Sequence, residues 1–383
     1  PRDAGNGAAT GSTTQDTRAL SGGGQRSSGP GRTDGRDLGA LGRDGLAGGS
    51  PKTGPRFDVT VAENGYVWWY LDGLSEDGEH GITIILFIGS VFSSYYAWNR
   101  IRQKRKGLMK ASPYDHPAVN AVLYGKGGKR WAFTERRRHT LTQGESDLTI
   151  VKSSAHWDGN SLIVHLDEVA VPVPTRIRGT VRLTPKAVTN HPITLDDEGA
   201  QRWWPIAPCA EIEVDLNNPD LTWKGSGYLD MNTGTKPLEE SFTVWDWSRA
   251  DLADGRAAIL YEATQRNGVR TPLGFACAPD GSVEPFEPPE LCQLPRTFWR
   301  MDRATRVDPG KSASVTETLE DAPFYTRSVL KTHLLGQSAV AMHESLSLDT
   351  DPVYAALAQP EEPVLGNPIL ERFDLQSLTL PIK

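Results

Sequence analysis

Residues 67–82 read "VWWYLDGLSEDGEHGI": an aromatic run, an Asp-Gly pair among charges, and an apolar restart. Aromatic and β-branched residues on either side of a short glycine-bearing turn are what a β-hairpin requires. Residues 244–259, "VWDWSRADLADGRAAI", repeat the pattern. At the constant offset 244 − 67 = 177, Trp68 meets Trp245, Tyr70 meets Trp247, Asp77-Gly78 meets Asp254-Gly255 and Ile82 meets Ile259. One supersecondary unit used twice implies two similar β-modules, each opened by a tryptophan-bearing strand. A boundary near residue 238 follows, with modules over 56–238 and 239–350.

The intervening chain supports an all-β class. Runs such as "SLIVHLDEVAVPVP", "RIRGTVRLTP" and "AEIEVDL" are separated by the turn signals "WDGN", "RNG" and "PDG", and no long stretch carries a helical period. Residues 81–98, "GITIILFIGSVFSSYYAW", are apolar enough to raise a membrane span. Gly89, Ser90, Ser93 and Ser94 interrupt them, and their β-branched residues favour a buried strand followed by a loop. The basic run "RIRQKRKG" (100–107) then reads either as a solvated loop or as a docking patch for anionic lipid.

The two ends differ from the middle. Residues 1–55 are rich in glycine and serine, predicting a disordered segment, and lack the apolar core of a signal peptide. Residues 351–383 read as a C-terminal tail. A net charge of -7 gives no reason to expect nucleic acid as a partner. The cysteines, Cys209, Cys277 and Cys292, are too far apart for a CxxC pair and odd in number, so a reducing compartment is the simplest setting. No P-loop, dinucleotide fingerprint, GxSxG elbow or zinc motif is present, and no metal site is expected.

Eleven tryptophans are the one compositional excess. Residues 201–232, "QRWWPIAPCAEIEVDLNNPDLTWKGSGYLDMN", gather Trp203, Trp204 and Trp223 near Tyr228 and Asp230. On a continuous strand, Tyr228 and Asp230 share a face. Two readings fit: a strand end where Asp230 caps a turn among packing tryptophans, or an apolar pocket holding a single acid.

In chain order come "YVWWYLDGLSEDGEHGITIILFIGSVFSSYYAWNR", "AVNAVLYG", "DEVAVPVPTRIRG", "RWWPIAP", "GYLDMNTGTKPLE", "TLEDAPFYTRS" and "HESLSLD". From Phe57 to Asp349 this series resembles the carotenoid 1,2-hydratase family, also called hydroxyneurosporene synthase or acyclic carotenoid hydratase. The resemblance implies two lipocalin-like antiparallel β-barrels. It also implies a hydro-lyase that adds water, without a cofactor, across the terminal C1=C2 bond of an acyclic carotenoid such as neurosporene or lycopene. The alternatives are a lipocalin-like pericyclase (a Diels–Alderase) or a non-catalytic carotenoid-binding protein. Because the substrate dissolves in bilayers, a peripheral protein on the cytoplasmic face of a photosynthetic membrane is expected.

The chemistry states what such a site must hold. An isolated alkene is a very weak base, so it needs a well-aimed acid whose proton is retained by apolar surroundings. Aromatic faces can then stabilise the tertiary cation. On this basis Asp230 is the expected proton donor, Tyr228 the residue that orients water or bonds the acid, and Trp203 a face for the cation. Trp204, Trp223, Trp69, Tyr70, His116 and Asn120 are the expected substrate contacts. Gln201, grouped with the catalytic residues, stands where the family commonly carries histidine and cannot titrate near neutrality. Glu135 is expected to pair with one of Arg136 to Arg138. The lone pair His343-Glu344 lacks a second metal ligand and is expected to be structural.

Overall fold

Strand alternation sorts the opening hairpin onto two faces. Strand Tyr66–Ser75 pairs antiparallel with His80–Ile88 on one edge and with Asp220–Gly234 on the other. Val67, Trp69 and Leu71 enter one apolar core, whereas Trp68 and Tyr70 enter another. The turn glycines of the two related hairpins, Gly78 (φ 70) and Gly255 (φ 85), both take the left-handed conformation that such turns demand.

The computed structural model describes residues 54–108 and 110–349. The expected C-terminal tail (351–383) and all but the last two residues of the expected disordered start lie outside the described residues. Strands from Tyr66 to Gly234 build a twelve-stranded antiparallel sheet, with Tyr66–Ser75, Asp220–Gly234 and Gln201–Asn218 at its centre. It curls until Trp131 bridges Val171. Strands from Phe242 to Ser347 build a seven-stranded antiparallel sheet, in which Phe242–Asp251 lies between Ala257–Gln265 and Gln337–Ser347. Leu291–Gln293 and Ala304–Arg306 form a small third ladder. The class is all-β.

Three apolar clusters follow from this layout. The first lies inside the curl of the larger sheet, the third belongs to the smaller sheet, and the second is shared by both sheets. Strand Gln201–Asn218 shifts register between Trp204 and Ala207 and again between Ala207 and Ala210, beside Pro205 and Pro208. Proline cannot donate to a ladder, so irregularity is expected there.

One expectation needs correction. The apolar run at 81–98 is a strand only to Ile88, and Ser94–Arg105 is an α-helix, not a loop. Ser93 caps it, its hydroxyl accepting from the Tyr96 amide at 2.9 Å. The helix buries only Tyr96 and Ala97, so its apolar period is too weak to read. Arg100 is not a free cation either; it pairs with Glu239 at 2.7 Å. Among the described residues no helix is long and apolar enough to cross a membrane.

Candidate active site

Asp230 lies on strand Asp220–Gly234 directly opposite Tyr70 and is only 4% exposed. Its Oδ2 accepts from the Trp203 indole at 2.8 Å and from the Tyr228 hydroxyl at 2.9 Å. Its Oδ1 has no hydrogen-bond partner among the described residues. Two donors on one oxygen fix the carboxyl plane and leave the other oxygen to carry a proton. Burial pushes the acid well above the usual carboxylate range; the bonds from Trp203 and Tyr228 oppose this, and the charges of Glu344 and Asp72 add to it. Burial and the neighbouring Asp230 also push the Tyr228 phenol well up, so it remains a donor.

The carboxyl borders a cavity of about 670 Å³ between the two sheets. Its walls are aromatic, with Trp68, Tyr70 and Phe87 from the larger sheet and Trp245, Trp247 and Tyr325 from the smaller. The residues related by the 177-residue offset meet here (245 − 68 = 247 − 70 = 177). Trp68 and Trp245 stack with centroids 5.6 Å apart, and Tyr70 meets Trp247 edge-on at 5.5 Å. One wall is polar: the Glu344 carboxylate pairs with Arg327 at 2.7 Å, and the Tyr70 hydroxyl lies 2.8 Å from it and 2.8 Å from Asp72. Behind Tyr70 lies a buried ion pair, Asp72 with Arg249, at 2.6 Å.

The placement of the expected site residues is mixed. Tyr70 and Asn120 line the cavity with Asp230. Trp203 and Tyr228 reach the acid but serve as its hydrogen-bond donors and not as cavity wall. Trp69, Trp204 and Trp223 belong to the core of the larger sheet and do not line the cavity, because neighbours on a strand point to opposite faces. His116 is also elsewhere: its ring packs on Tyr96 and its Nδ1 meets Glu135 at 2.7 Å. Glu135 therefore pairs with His116 and Ser93, and not with an arginine.

Gln201 does not touch Asp230. Its Oε1 accepts from Tyr66 at 2.5 Å, and its Nε2 donates to Ser241 at 2.9 Å, tying the start of its strand to the short helix Leu238–Ser241. An amide suits this place because it offers one acceptor and donors at once. Sequence reasoning missed Trp68, Trp245, Trp247, Arg327 and the cavity position of Glu344. The offset between the two tryptophan-bearing strands was the available signal for the first three.

Comparisons with known proteins bear on the family and the fold. The family model described as Carotenoid hydratase CrtC matches residues 84–355. The acyclic carotenoid 1,2-hydratase of Thiocapsa roseopersicina is 48% identical over 336 residues, 88% of this chain and 80% of that protein. The protein of the same name from Rubrivivax gelatinosus is 46% identical over 294 residues, 77% of this chain and 71% of that one. Among solved structures, a putative AttH from Nitrosomonas europaea matches with TM-score 0.52 and 14% identity, covering 80% of this chain and 97% of that one. Kievitone hydratase from Nectria haematococca matches at 0.50 with 8% identity, over 79% and 92% of the two chains. These last two likenesses speak to the fold alone. With the match to the family model over 84–355 and the high identity to the two bacterial relatives, this chain belongs to the carotenoid hydratase family.

Proposed function

We propose that the protein hydrates the terminal C1=C2 bond of an acyclic carotenoid, with Asp230 as the acid. The supporting observation is the unpartnered Asp230 Oδ1, on a buried carboxyl at the edge of an aromatic cavity. Asp230 protonates C2, the positive charge develops on tertiary C1, and a water molecule adds there. Aromatic faces such as Trp68 and Trp245 stabilise the cation by about 2 kcal/mol or more in a dry site. The scheme uses side chains and water only. Incubation with lycopene or neurosporene in liposomes should raise the pigment's mass by one water per processed end, with heavy oxygen entering from labelled water. Unchanged mass with bound pigment would indicate a carrier, and a rearranged polyene of equal mass would indicate a pericyclase.

Tyr228 tunes the acid in this scheme. Its bond to Oδ2 favours the ionised form, so Tyr228→Phe raises the Asp230 pKa further. The reaction needs the protonated acid, so activity is present at low pH and lost as pH rises through the folded-state value. The variant's high-pH limb should therefore move to higher pH, while loss of orientation lowers kcat about tenfold. A limb that moves to lower pH, or does not move, would contradict this role for Tyr228.

The substrate's solubility also bears on where the protein works, and we infer peripheral docking on the photosynthetic membrane at its cytoplasmic face. Phe298 is 87% exposed and Trp299 55% exposed. The Phe298 amide donates to Asp321 Oδ2 at 2.8 Å, beside Glu320 and Ala322 of the cavity wall. Exposed aromatics at a cavity rim suit the bilayer interface. Phe298→Ser with Trp299→Ser should reduce flotation with anionic liposomes about tenfold; unchanged flotation would refute docking through this loop.

A further inference from the structure

Hydration needs a second proton transfer, and the cavity holds a second carboxylate. Glu344 lies on strand Gln337–Ser347, opposite Trp247 on one side and Arg327 on the other. Its Oε1 accepts from Arg327 Nε at 2.9 Å and Arg327 Nη2 at 2.7 Å, and the Tyr70 hydroxyl, whose single proton is shared between this oxygen and Asp72 Oδ2, lies 2.8 Å from each. Among the described residues no donor is recorded on Oε2. Arg327 is itself held, 2% exposed, by donating to the Tyr124 hydroxyl at 2.6 Å and by lying over the Tyr70 and Tyr325 rings. The two Arg327 donors, with the Tyr70 hydroxyl beside them, hold Oε1 in place and leave Oε2 for a ligand that can donate.

Glu344 and Asp230 border the same cavity, and Tyr70 stands between them. Its Cα is opposite Asp230 in the strand pair, and its hydroxyl reaches Glu344. Each carboxyl thus turns one occupied oxygen to the protein and keeps one oxygen unpartnered.

Resting on the hydratase reading above, we infer that Glu344 is the general base that holds the attacking water and takes its proton. Asp230 Oδ1 gives its proton to C2 as the alkene π pair forms the C2–H bond. Water on Glu344 Oε2 forms the C1–O bond, and its proton passes to Glu344. That proton returns to Asp230 through cavity water, so the protein is unchanged and one water has been added. Dividing acid and base between two carboxyls lets one give a proton while the other receives one.

The alternative is that Glu344 only neutralises the buried Arg327. The two roles separate in heavy water, where an acid working without its base protonates the alkene and then takes a proton back. Lycopene in liposomes is incubated with the full chain in heavy water, and both hydration and deuterium at C2 of recovered substrate are measured. Glu344→Gln should hydrate about 100-fold more slowly while deuterium still enters recovered lycopene. Asp230→Asn should show neither. Glu344→Asp, which keeps the charge on a shorter arm, should hydrate about tenfold more slowly with exchange intact. Hydration by Glu344→Gln within about threefold of wild type overturns the assignment. So does joint loss of hydration and exchange in a variant that melts with the wild type, and so does full-rate hydration by Glu344→Asp. A wild-type protein that adds no water removes the hydratase reading itself, and this assignment with it.

Discussion

Asp230→Asn is expected to slow hydration by about 10³-fold or more while carotenoid binding survives. The substitution keeps the side chain's shape, and the amide oxygen can still accept from Trp203 and Tyr228, the two donors that hold the carboxyl. What it removes is the transferable proton. An aspartic acid at its ordinary value of about 3.9 would be protonated in roughly one molecule per thousand at neutral pH. Burial lifts Asp230 well above that range, which raises the protonated share by a factor of ten for each unit. Product mass and pigment absorption, measured on one preparation, separate catalysis from binding. A variant that kept more than a tenth of the wild-type rate would mean that the proton comes from elsewhere.

Arg249→Leu is expected to destabilise the fold by about 3–5 kcal/mol. Asp72, in the larger sheet, is 0% exposed and Arg249, in the smaller, 1% exposed. Arg249 Nε donates to Asp72 Oδ1 at 2.8 Å, and the remaining oxygen, Oδ2, lies 2.8 Å from the Tyr70 hydroxyl, whose one proton it shares with Glu344. Removing the arginine strands a buried carboxylate between the sheets. Asp72→Asn should cost less, because Arg249 keeps Asp251, whose carboxylate oxygens lie 3.0 Å from its Nη1. Urea unfolding of the two variants tests this order; equal losses, or a loss under about 1 kcal/mol for Arg249→Leu, would argue against the pair as a link between sheets.

The sequence was most legible where local pattern and final position coincide. The aromatic–turn–apolar pattern at Val67–Ile82 and Val244–Ile259 announces two hairpins, and both form. Tyr228 and Asp230 lie two apart on a strand, so their shared face could be read directly, and the hydroxyl does reach the carboxyl. Adjacent aromatics were different. Nothing in "WWY" says whether Trp68 or Trp69 faces the cavity, because both faces of this strand are buried, one in the larger sheet's core and one between the sheets. The tryptophan wall was therefore expected from Trp203, Trp204, Trp223 and Trp69, when it comes from Trp68 with Trp245 and Trp247 across the sheet junction. Glu344 shows the same limit. Arg327 faces it from the adjacent strand of its hairpin, but Tyr70 comes from the other sheet, and only the packed fold turns a lone His-Glu pair into a cavity carboxylate. The helix at Ser94–Arg105 was hidden because it buries only Tyr96 and Ala97, too few to make an apolar stripe of helical period.

The central claim is that Asp230 is a neutral acid at working pH, and infrared difference spectroscopy between wild type and Asp230→Asn addresses it directly. At neutral pH the wild type should show a protonated-carboxyl C=O band that is absent from Asp230→Asn, shifts in heavy water, and fades as pH rises in step with loss of hydration. A wild-type spectrum in which Asp230 contributes only carboxylate bands at neutral pH would contradict it.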